Sequence, residues 1–128
     1  MKPFVFGSVC SGIEAASAAL APLGMECAFV SEIDPAAQDV LAHHYGANTV
    51  AMSPRRRSAP RKPGGVFNFG DFTGIRRKHI KALGYDSIDA LFGGTPCQSF
   101  SVAGARGGLA DDRGNLALQY CVLARRLK

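Results

Sequence analysis

Residues 4–46 read FVFGSVCSGIEAASAALAPLGMECAFVSEIDPAAQDVLAHHYG, and they alternate between strand-like and helix-like segments. Residues 4–9 form a short apolar run typical of a buried strand, and residues 27–31 form a second one. Between them, residues 13–23 are rich in alanine and leucine, which favour a helix. Residues 35–45 predict a second helix that begins with a proline. This alternation of strand and helix predicts an α/β protein with a parallel sheet.

The rest of the chain continues the pattern after one interruption. Residues 51–65 contain three prolines, two serines and five basic residues, a composition that predicts a disordered insert. A helix is expected over residues 75–83, a strand over 88–92, a tight loop over 93–98 and a final helix over 115–127. These strands are too few for a complete doubly wound sheet. The pattern therefore predicts an incomplete parallel sheet flanked by helices, in a chain that is cut short.

Composition excludes several classes of protein. The chain has 128 residues, of which 47% are hydrophobic and 20% charged, as expected for one small folded domain. No apolar run approaches the roughly 18 residues that a membrane span needs, and the first residues lack the pattern of a secretory signal. Four cysteines occur with no Cys-x-x-Cys pair, so no metal site is predicted. Scattered cysteines in a chain without a secretory signal predict a protein of the reducing cytoplasm.

The net charge of +5 is concentrated in one place. The five basic residues within 51–65 equal the whole excess, so the remainder of the chain is balanced. Such a cluster either attracts nucleic-acid phosphates or is a solvated loop, and the sequence leaves both readings open.

Polar residues follow three of the predicted strands. The turn that contains Gly12 joins the first strand to the first helix, where a ligand can approach the backbone, although a plain structural turn is an equal alternative. Glu32 lies 20 residues further on, the spacing at which an acidic residue in nucleotide-binding α/β domains binds ribose hydroxyls. Asp71 follows another apolar stretch and either contacts the same ligand or forms a turn. The alternative for Glu32 is an exposed carboxylate at a strand end.

Cys97 differs from the other cysteines in its surroundings. It comes directly after a predicted strand, in a loop that Pro96 stiffens and that Gly93 and Gly94 open. The carboxyl ends of parallel strands are where such folds bind ligands. A thiol held there beside backbone N–H groups is a candidate nucleophile once it is ionised.

Five stretches carry a family resemblance, and they follow one another in the family's order. They are residues 10–15 (Cys-Ser-Gly-Ile-Glu-Ala), 31–34 (Ser-Glu-Ile-Asp), 70–73 (Gly-Asp-Phe-Thr), 94–101 (Gly-Thr-Pro-Cys-Gln-Ser-Phe-Ser) and 104–116, which ends in Arg-Gly-Asn-Leu. With these motifs the sequence resembles the N-terminal catalytic portion of the DNA (cytosine-5) methyltransferases. The resemblance implies a Rossmann-like fold that uses S-adenosylmethionine to methylate carbon 5 of cytosine in double-stranded DNA.

The resemblance also implies roles for individual residues. Cys97 would be the nucleophile that attacks a flipped cytosine. The residues implied to bind S-adenosylmethionine are Ser11, Gly12, Ile13, Glu32, Ile33, Asp71, Phe72, Pro96 and Leu116. Among them, Ser11 and Gly12 would hold the methionine part, Glu32 the ribose and Asp71 the adenine amino group. The residues implied to contact DNA or the flipped base are Gln98, Ser99 and Arg113.

The sequence departs from the family in two respects. Cys10 stands where the family has Phe, and Glu14 and Ala15 stand where it has Gly-Gly. The family's Glu-Asn-Val motif, its Arg-x-Arg motif and its target-recognition region have no counterpart, and no Glu follows Glu32. The sequence therefore predicts a partial catalytic domain over residues 1–128, inactive alone or completed by a second chain. The alternative is a non-catalytic remnant that binds S-adenosylmethionine or DNA. A nicotinamide dehydrogenase ranks third, because it explains Glu32 but not the Pro-Cys-Gln motif.

Overall fold

The computed structural model describes residues 2–50, 64–95 and 112–128, with the side chains of residues 112–114 outside the description. Four parallel strands form a sheet in the order β3-β2-β1-β4. The strands are β1 (Val5–Val9), β2 (Glu26–Val30), β3 (Phe67–Asn68) and β4 (Ala90–Gly93). The α-helices are α1 (Ala15–Leu20), α2 (Pro35–Tyr45), α3 (Arg77–Ala82) and α4 (Asp112–Leu127), and two short 3-10 helices span Ala21–Leu23 and Phe72–Gly74. The prediction of an α/β fold with a parallel sheet is confirmed.

Several element boundaries differ from the prediction. The helix expected over residues 13–23 ends as an α-helix at Leu20 and continues as a 3-10 turn. Pro22 explains the change, because proline has no N–H for the helical ladder and its ring clashes with the preceding turn. The strand expected over residues 88–92 begins only at Ala90. Most of the predicted insert at residues 51–65 lies outside the described residues.

The central strand β1 is buried along its whole length. Helices pack on both sides of a parallel sheet, which is why such strands read as unbroken apolar runs. Gly7 is required within this strand, since a Cβ there would lie 2.4 Å from ring atoms of Phe29 on β2. The Phe29 side chain is fully buried and belongs to the larger of two core clusters.

All four strands point the same way, so their carboxyl ends meet at one edge of the sheet. The segments at this edge begin at Cys10 after β1, Ser31 after β2, Phe69 after β3 and Gly94 after β4. Three of the stretches that carry the family resemblance therefore lie beside one another, and the fourth begins there. Within the described ranges, no helix is long and apolar enough to cross a membrane.

Candidate functional site

Ser11 joins the loop after β1 to the loop after β2. Its backbone N–H donates to the carbonyl of Ser31 at 3.3 Å, and its Oγ accepts from the N–H of Ser31 at 3.1 Å. The same hydroxyl donates to the carbonyl of Ser8 at 3.1 Å. Since its hydroxyl bonds to the main chain of both loops, Ser11 holds the two loops in register, and its predicted contact with the methionine part of the cofactor stays a prediction.

Glu32 is held against the turn that contains Gly12. Its Oε2 accepts from the N–H of Gly12 at 2.8 Å, and its Oε1 accepts from the N–H groups of Ile33 at 3.0 Å and Asp34 at 2.9 Å. A carboxylate offers about four acceptor positions, so at least one remains for a ligand hydroxyl. Gly12 has φ of 56°, and a Cβ there would meet no heavy atom within 4 Å. The space above this turn is therefore open to a ligand.

Two isoleucines flank the contact between Gly12 and Glu32. Ile13 follows Gly12 and Ile33 follows Glu32, and each side chain is 67% exposed. Two exposed isoleucines beside a carboxylate are consistent with a small-molecule site, because such sites combine apolar walls with a few placed polar groups. Both residues were predicted to contact the cofactor, and the structure brings them to the same edge as Glu32.

Asp71 and Phe72 take different positions after β3. Asp71 is exposed, and its Oδ1 accepts from the N–H and the hydroxyl of Thr73 at 2.9 and 2.8 Å, which caps the short helix that follows. The side chain of Phe72 is 4% exposed and lies in the larger core cluster. Phe72 therefore supports the loop from beneath, and its predicted contact with the cofactor stays a prediction.

Electrostatics connect the loops after β1, β2 and β3. The pKa of the Cys10 thiol is raised, first by burial and then by the negative charges of Glu32 and Asp71. Both carboxylates thus act on one thiol, which places the three loops in a shared electrostatic environment. A raised pKa keeps this thiol protonated at neutral pH, so Cys10 is a poor nucleophile.

Glu14 is a residue of the site region whose role the sequence did not reveal. Its side chain is 1% exposed, and its carboxylate accepts from the hydroxyl of Ser8 at 2.7 Å and from the N–H and hydroxyl of Ser17 at 3.0 and 2.8 Å. Glu14 is the N-cap of α1 and has a left-handed backbone with φ of 67°. The sequence carried little signal for this role, because Glu is not among the preferred N-cap residues. The Glu14 carboxylate therefore holds the turn between β1 and α1 from its buried side.

The segment after β4 begins beside the segment after β1. A Cβ on Gly94 would have the carbonyl oxygen of Cys10 as its nearest neighbour at 3.9 Å. Cys97 follows only three residues later, but Pro96, Cys97, Gln98 and Ser99 lie outside the described residues. Their roles therefore stay predictions.

The helix α4 packs against β4. The hydroxyl of Tyr120 donates to the carbonyl of Leu91 at 2.6 Å, and a Cβ on Gly93 would lie 2.5 Å from the Tyr120 ring. Leu116 is half-buried against the larger core cluster. The side chain of Arg113 is outside the description, so its predicted contact with DNA stays a prediction.

Two of the other cysteines lie outside the loops that follow the strands, Cys27 in β2 and Cys121 in α4. Burial raises the pKa of Cys27 to about 12; a hydrogen bond from Ser17 lowers it, and the charge of Glu14 raises it by a smaller amount. Cys121 is exposed on α4. In the part of the chain that the structure describes, no group of three or more His, Cys, Asp or Glu side chains is placed to hold a metal ion.

Comparison with known proteins gives a consistent group of matches. The model of the family described as C-5 cytosine-specific DNA methylase matches residues 4–128. The DNA N-6-adenine-methyltransferase of Escherichia phage P1 is 46% identical over 127 residues, which cover 99% of this chain and 14% of that protein. The orphan methyltransferase M.Rho11sI of Bacillus phage rho11s is 39% identical over 88% of the chain and 19% of its own length. The type II methyltransferase M.HpaII of Haemophilus parainfluenzae is 34% identical over 98% of the chain and 29% of its own length. The chain therefore spans less than a third of each of these relatives.

Proposed function

Because the chain belongs to the C-5 cytosine-specific DNA methylase family, we propose that it binds S-adenosylmethionine and supplies the nucleophile for methylation of carbon 5 of cytosine in double-stranded DNA. The observation that carries the proposal is the Glu32 carboxylate, bound to the N–H of Gly12 at 2.8 Å beside open space. An acidic side chain at the end of the second strand, against the first glycine turn, is the arrangement that binds a ribose in nucleotide-binding α/β folds.

The residues at this edge fit the parts of S-adenosylmethionine. The remaining acceptor position of Glu32 suits a ribose hydroxyl, and the exposed side chains of Ile13 and Ile33 suit the faces of the adenine ring. Asp71 is exposed and suits the adenine amino group, because both of its described hydrogen bonds use Oδ1. The open turn at Gly12 lets the methionine part approach the backbone. When bound, S-adenosylmethionine supplies an electrophilic methyl group on a sulfonium.

Cys97 carries the covalent part of the proposed reaction. Carbon 5 of cytosine is a poor nucleophile, so the Cys97 thiolate first forms a bond to carbon 6 and makes the ring an enamine that is electron-rich at carbon 5. After carbon 5 has gained the methyl group, a base removes its proton, the bond between sulfur and carbon 6 breaks, and the thiolate is released. The cytosine must leave the duplex stack to meet this thiol. Gln98, Ser99 and Arg113 are proposed to face the DNA and the flipped base.

The other described cysteines support the choice of Cys97. Raised pKa values keep the thiols of Cys10 and Cys27 protonated, whereas Cys121 lies within α4 and not in a loop that follows a strand of the sheet. Cys97 alone follows a strand of the sheet within a Pro-Cys-Gln motif. A thiol nucleophile also needs a reducing compartment, which is consistent with the cytoplasm.

A second candidate follows from the name of the phage P1 relative, which refers to N-6 methylation of adenine. The amino group of adenine carries its own lone pair and needs no covalent activation of the ring. The Pro-Cys-Gln motif at residues 96–98 is therefore unexplained by that activity. We propose methylation of cytosine for this reason, and a methyl-acceptor assay on DNA that contains only one of the two target bases distinguishes the two reactions.

The proposed activity requires groups that the 128 residues do not supply. Within the 128 residues, no Glu that could support the charge on the cytosine ring as the thiolate adds follows Glu32, and no segment was identified as a target-recognition region. One such electrostatic group contributes about 3 kcal/mol to the transition state. We therefore propose that the chain acts together with residues that provide these motifs, and that the 128-residue chain alone transfers no detectable methyl group to duplex DNA.

A trapping experiment tests the nucleophile. The chain is mixed with a protein that supplies the missing motifs, labelled S-adenosylmethionine and duplex DNA that contains 5-fluorocytosine, whose fluorine blocks the last elimination and leaves the covalent adduct. Wild type and Cys121→Ala are expected to form the adduct, and Cys97→Ala is expected to form none. An adduct with Cys97→Ala would overturn the assignment. Efficient transfer by the 128-residue chain alone would overturn the need for the missing motifs.

A thermal shift experiment tests the cofactor site. S-adenosylmethionine is expected to raise the melting temperature of the wild-type chain, since a ligand that binds only the folded state stabilises it. Glu32→Ala is expected to weaken this response, whereas Asp39→Ala, at an exposed position on α2, is expected to leave it unchanged. Equal responses from wild type and Glu32→Ala would remove Glu32 from the ribose site.

A further inference from the structure

A buried asparagine lies directly beneath the loop that carries Glu32. Asn68 is the last residue of the two-residue strand β3, and its side chain is fully buried. Burying an amide costs free energy unless its donor and acceptor are both satisfied, so its hydrogen bonds show what the position is for. No motif of the sequence analysis included this residue.

The Asn68 side chain bonds to the main chain on both sides of Glu32. Its Oδ1 accepts from the N–H of Glu32 at 3.0 Å, and its Nδ2 donates to the carbonyl of Glu32 at 3.2 Å. The same Oδ1 accepts from the N–H of Gly70 at 2.9 Å. Gly70 directly precedes Asp71. The Asn68 amide therefore connects the backbone of Glu32 to the backbone next to Asp71, and Glu32 and Asp71 are both proposed to bind the cofactor.

The Asn68 amide continues the hydrogen bonding between the two segments beyond the point where the backbone ladder between β2 and β3 ends. The last backbone bond between these strands runs from the N–H of Phe69 to the carbonyl of Val30 at 3.0 Å. Glu32 lies two residues beyond Val30, where the main chain leaves the sheet and has no strand partner. The Asn68 side chain provides one acceptor and one donor at this point, as a strand would, and thereby fixes the peptide groups on either side of the Glu32 side chain.

We propose that Asn68 is a positioning residue for nucleoside recognition: it sets the position of Glu32 relative to Asp71 and so determines how well the site distinguishes a ribose from a deoxyribose. The inference rests on the proposed function, because it assigns Glu32 to the ribose of S-adenosylmethionine. Asn68 lies beneath the loop and acts through Glu32. A shift of Glu32 by a fraction of an ångström lengthens a hydrogen bond of about 2.8 Å enough to weaken it markedly.

Asn48 is a matched control for burial and hydrogen bonding. Its side chain is also fully buried, its Nδ2 donates to the carbonyl of Asn68 at 2.9 Å, and its Oδ1 accepts from the N–H of Asn68 at 2.8 Å. It therefore supports β3 from the side away from β2, and its described hydrogen bonds do not reach Glu32 or Gly70. A purely structural role predicts similar effects from both asparagines.

The experiment measures the affinity of the full chain for S-adenosylhomocysteine and for its 2′-deoxyribose counterpart by calorimetry. The wild type is expected to bind both and to prefer the ribose form. Asn68→Ala is expected to weaken binding of the ribose form about tenfold, the effect of losing roughly one well-placed hydrogen bond. The ratio of the affinities for the ribose and deoxyribose forms is then expected to be close to one. Asn48→Ala is expected to keep the wild-type preference. An unchanged preference in Asn68→Ala, or an equal loss of preference in Asn48→Ala, would overturn the proposal.

A double variant tests whether Asn68 acts through Glu32. Asn68→Ala combined with Glu32→Gln is expected to bind no more than about twofold worse than Glu32→Gln alone, because interacting positions are not additive. If the two substitutions weaken binding by independent factors that multiply in the double variant, the proposal is contradicted. If Asn68→Ala does not fold, Asn68→Asp replaces it: this side chain keeps the acceptor, places an oxygen against the carbonyl of Glu32, and is expected to lose the same preference. A wild-type chain that binds neither compound refutes the cofactor site itself, and the inference with it.

Discussion

Replacing Glu14 with alanine is expected to destabilise the fold by about 3 kcal/mol, with contributions of about 1 kcal/mol from each lost hydrogen bond. The carboxylate accepts one bond from the hydroxyl of Ser8 and two from Ser17, and the Glu14 side chain is 1% exposed. Water therefore has little access to the freed donors unless the turn rearranges. For a chain of this size the loss corresponds to a decrease of roughly 10 °C in melting temperature.

The left-handed backbone at Glu14 makes the order of two variants informative. With φ of 67°, alanine keeps the steric cost of that conformation, about 1 kcal/mol, whereas glycine does not. Glu14→Gly is therefore expected to be more stable than Glu14→Ala by about 1 kcal/mol, which is the reverse of the order at ordinary helical positions.

Urea unfolding followed by circular dichroism measures these differences, with Asp39→Ala as a control that also removes one acid. Because Asp39 is exposed on α2, its replacement is expected to change the free energy of unfolding by less than about 0.5 kcal/mol. The reasoning about the buried carboxylate is refuted if the free energy of unfolding of Glu14→Ala lies within about 1 kcal/mol of the wild-type value. The reasoning about backbone strain is refuted if Glu14→Ala is more stable than Glu14→Gly.

Three further predictions follow from single positions or segments. Gly7→Ala places a methyl group 2.4 Å from the Phe29 ring and is expected to cost about 2 kcal/mol in urea unfolding, as overpacking does; an unchanged midpoint would show that the ring moves freely. Burial raises the pKa of Cys27 to about 12, so its thiol is protonated at a pH of about 8. Mass spectrometry after iodoacetamide treatment is expected to find the exposed Cys121 modified well before Cys27. The reverse order of modification would be incompatible with the burial of Cys27. Neutralising the five basic residues within 55–62 is expected to reduce the salt dependence of DNA binding, by about 4.5 in the log–log slope if each contacts a phosphate. An unchanged slope would assign the cluster to solvent.

Local pattern was sufficient for the class of fold and for the proximity of Glu32 to Gly12. The alternation of apolar runs and alanine-rich segments depends only on near neighbours, and it predicted the parallel sheet that the structure has. Glu32 was found by its separation of 20 residues from Gly12, and their contact at 2.8 Å spans that separation. The length of one strand, helix and strand is nearly constant in such folds, which is why this distance along the chain is informative about distance in space.

Element ends and buried polar groups depended on contacts that sequence distance does not report. Pro22 was expected to close the helix after β1, but the residue at which the α-helix ends, Leu20, is seen only in the structure. Glu14 was visible in the sequence as a departure from Gly-Gly, yet its burial requires Ser8 and Ser17 to converge on one carboxylate.

The sequence by itself determined that the chain is an α/β protein with a methylase motif set, because each motif is a short run whose residues are read together. Only the tertiary structure decided that Asn68 supports Glu32, since the two residues are 36 positions apart and meet because β3 pairs with β2. The same pairing brings the Asp71 loop close enough for its charge to raise the pKa of Cys10. Hydrogen bonds and charges act over a few ångströms in space, and strand order, which no single run of residues encodes, determines which distant residues come within that range.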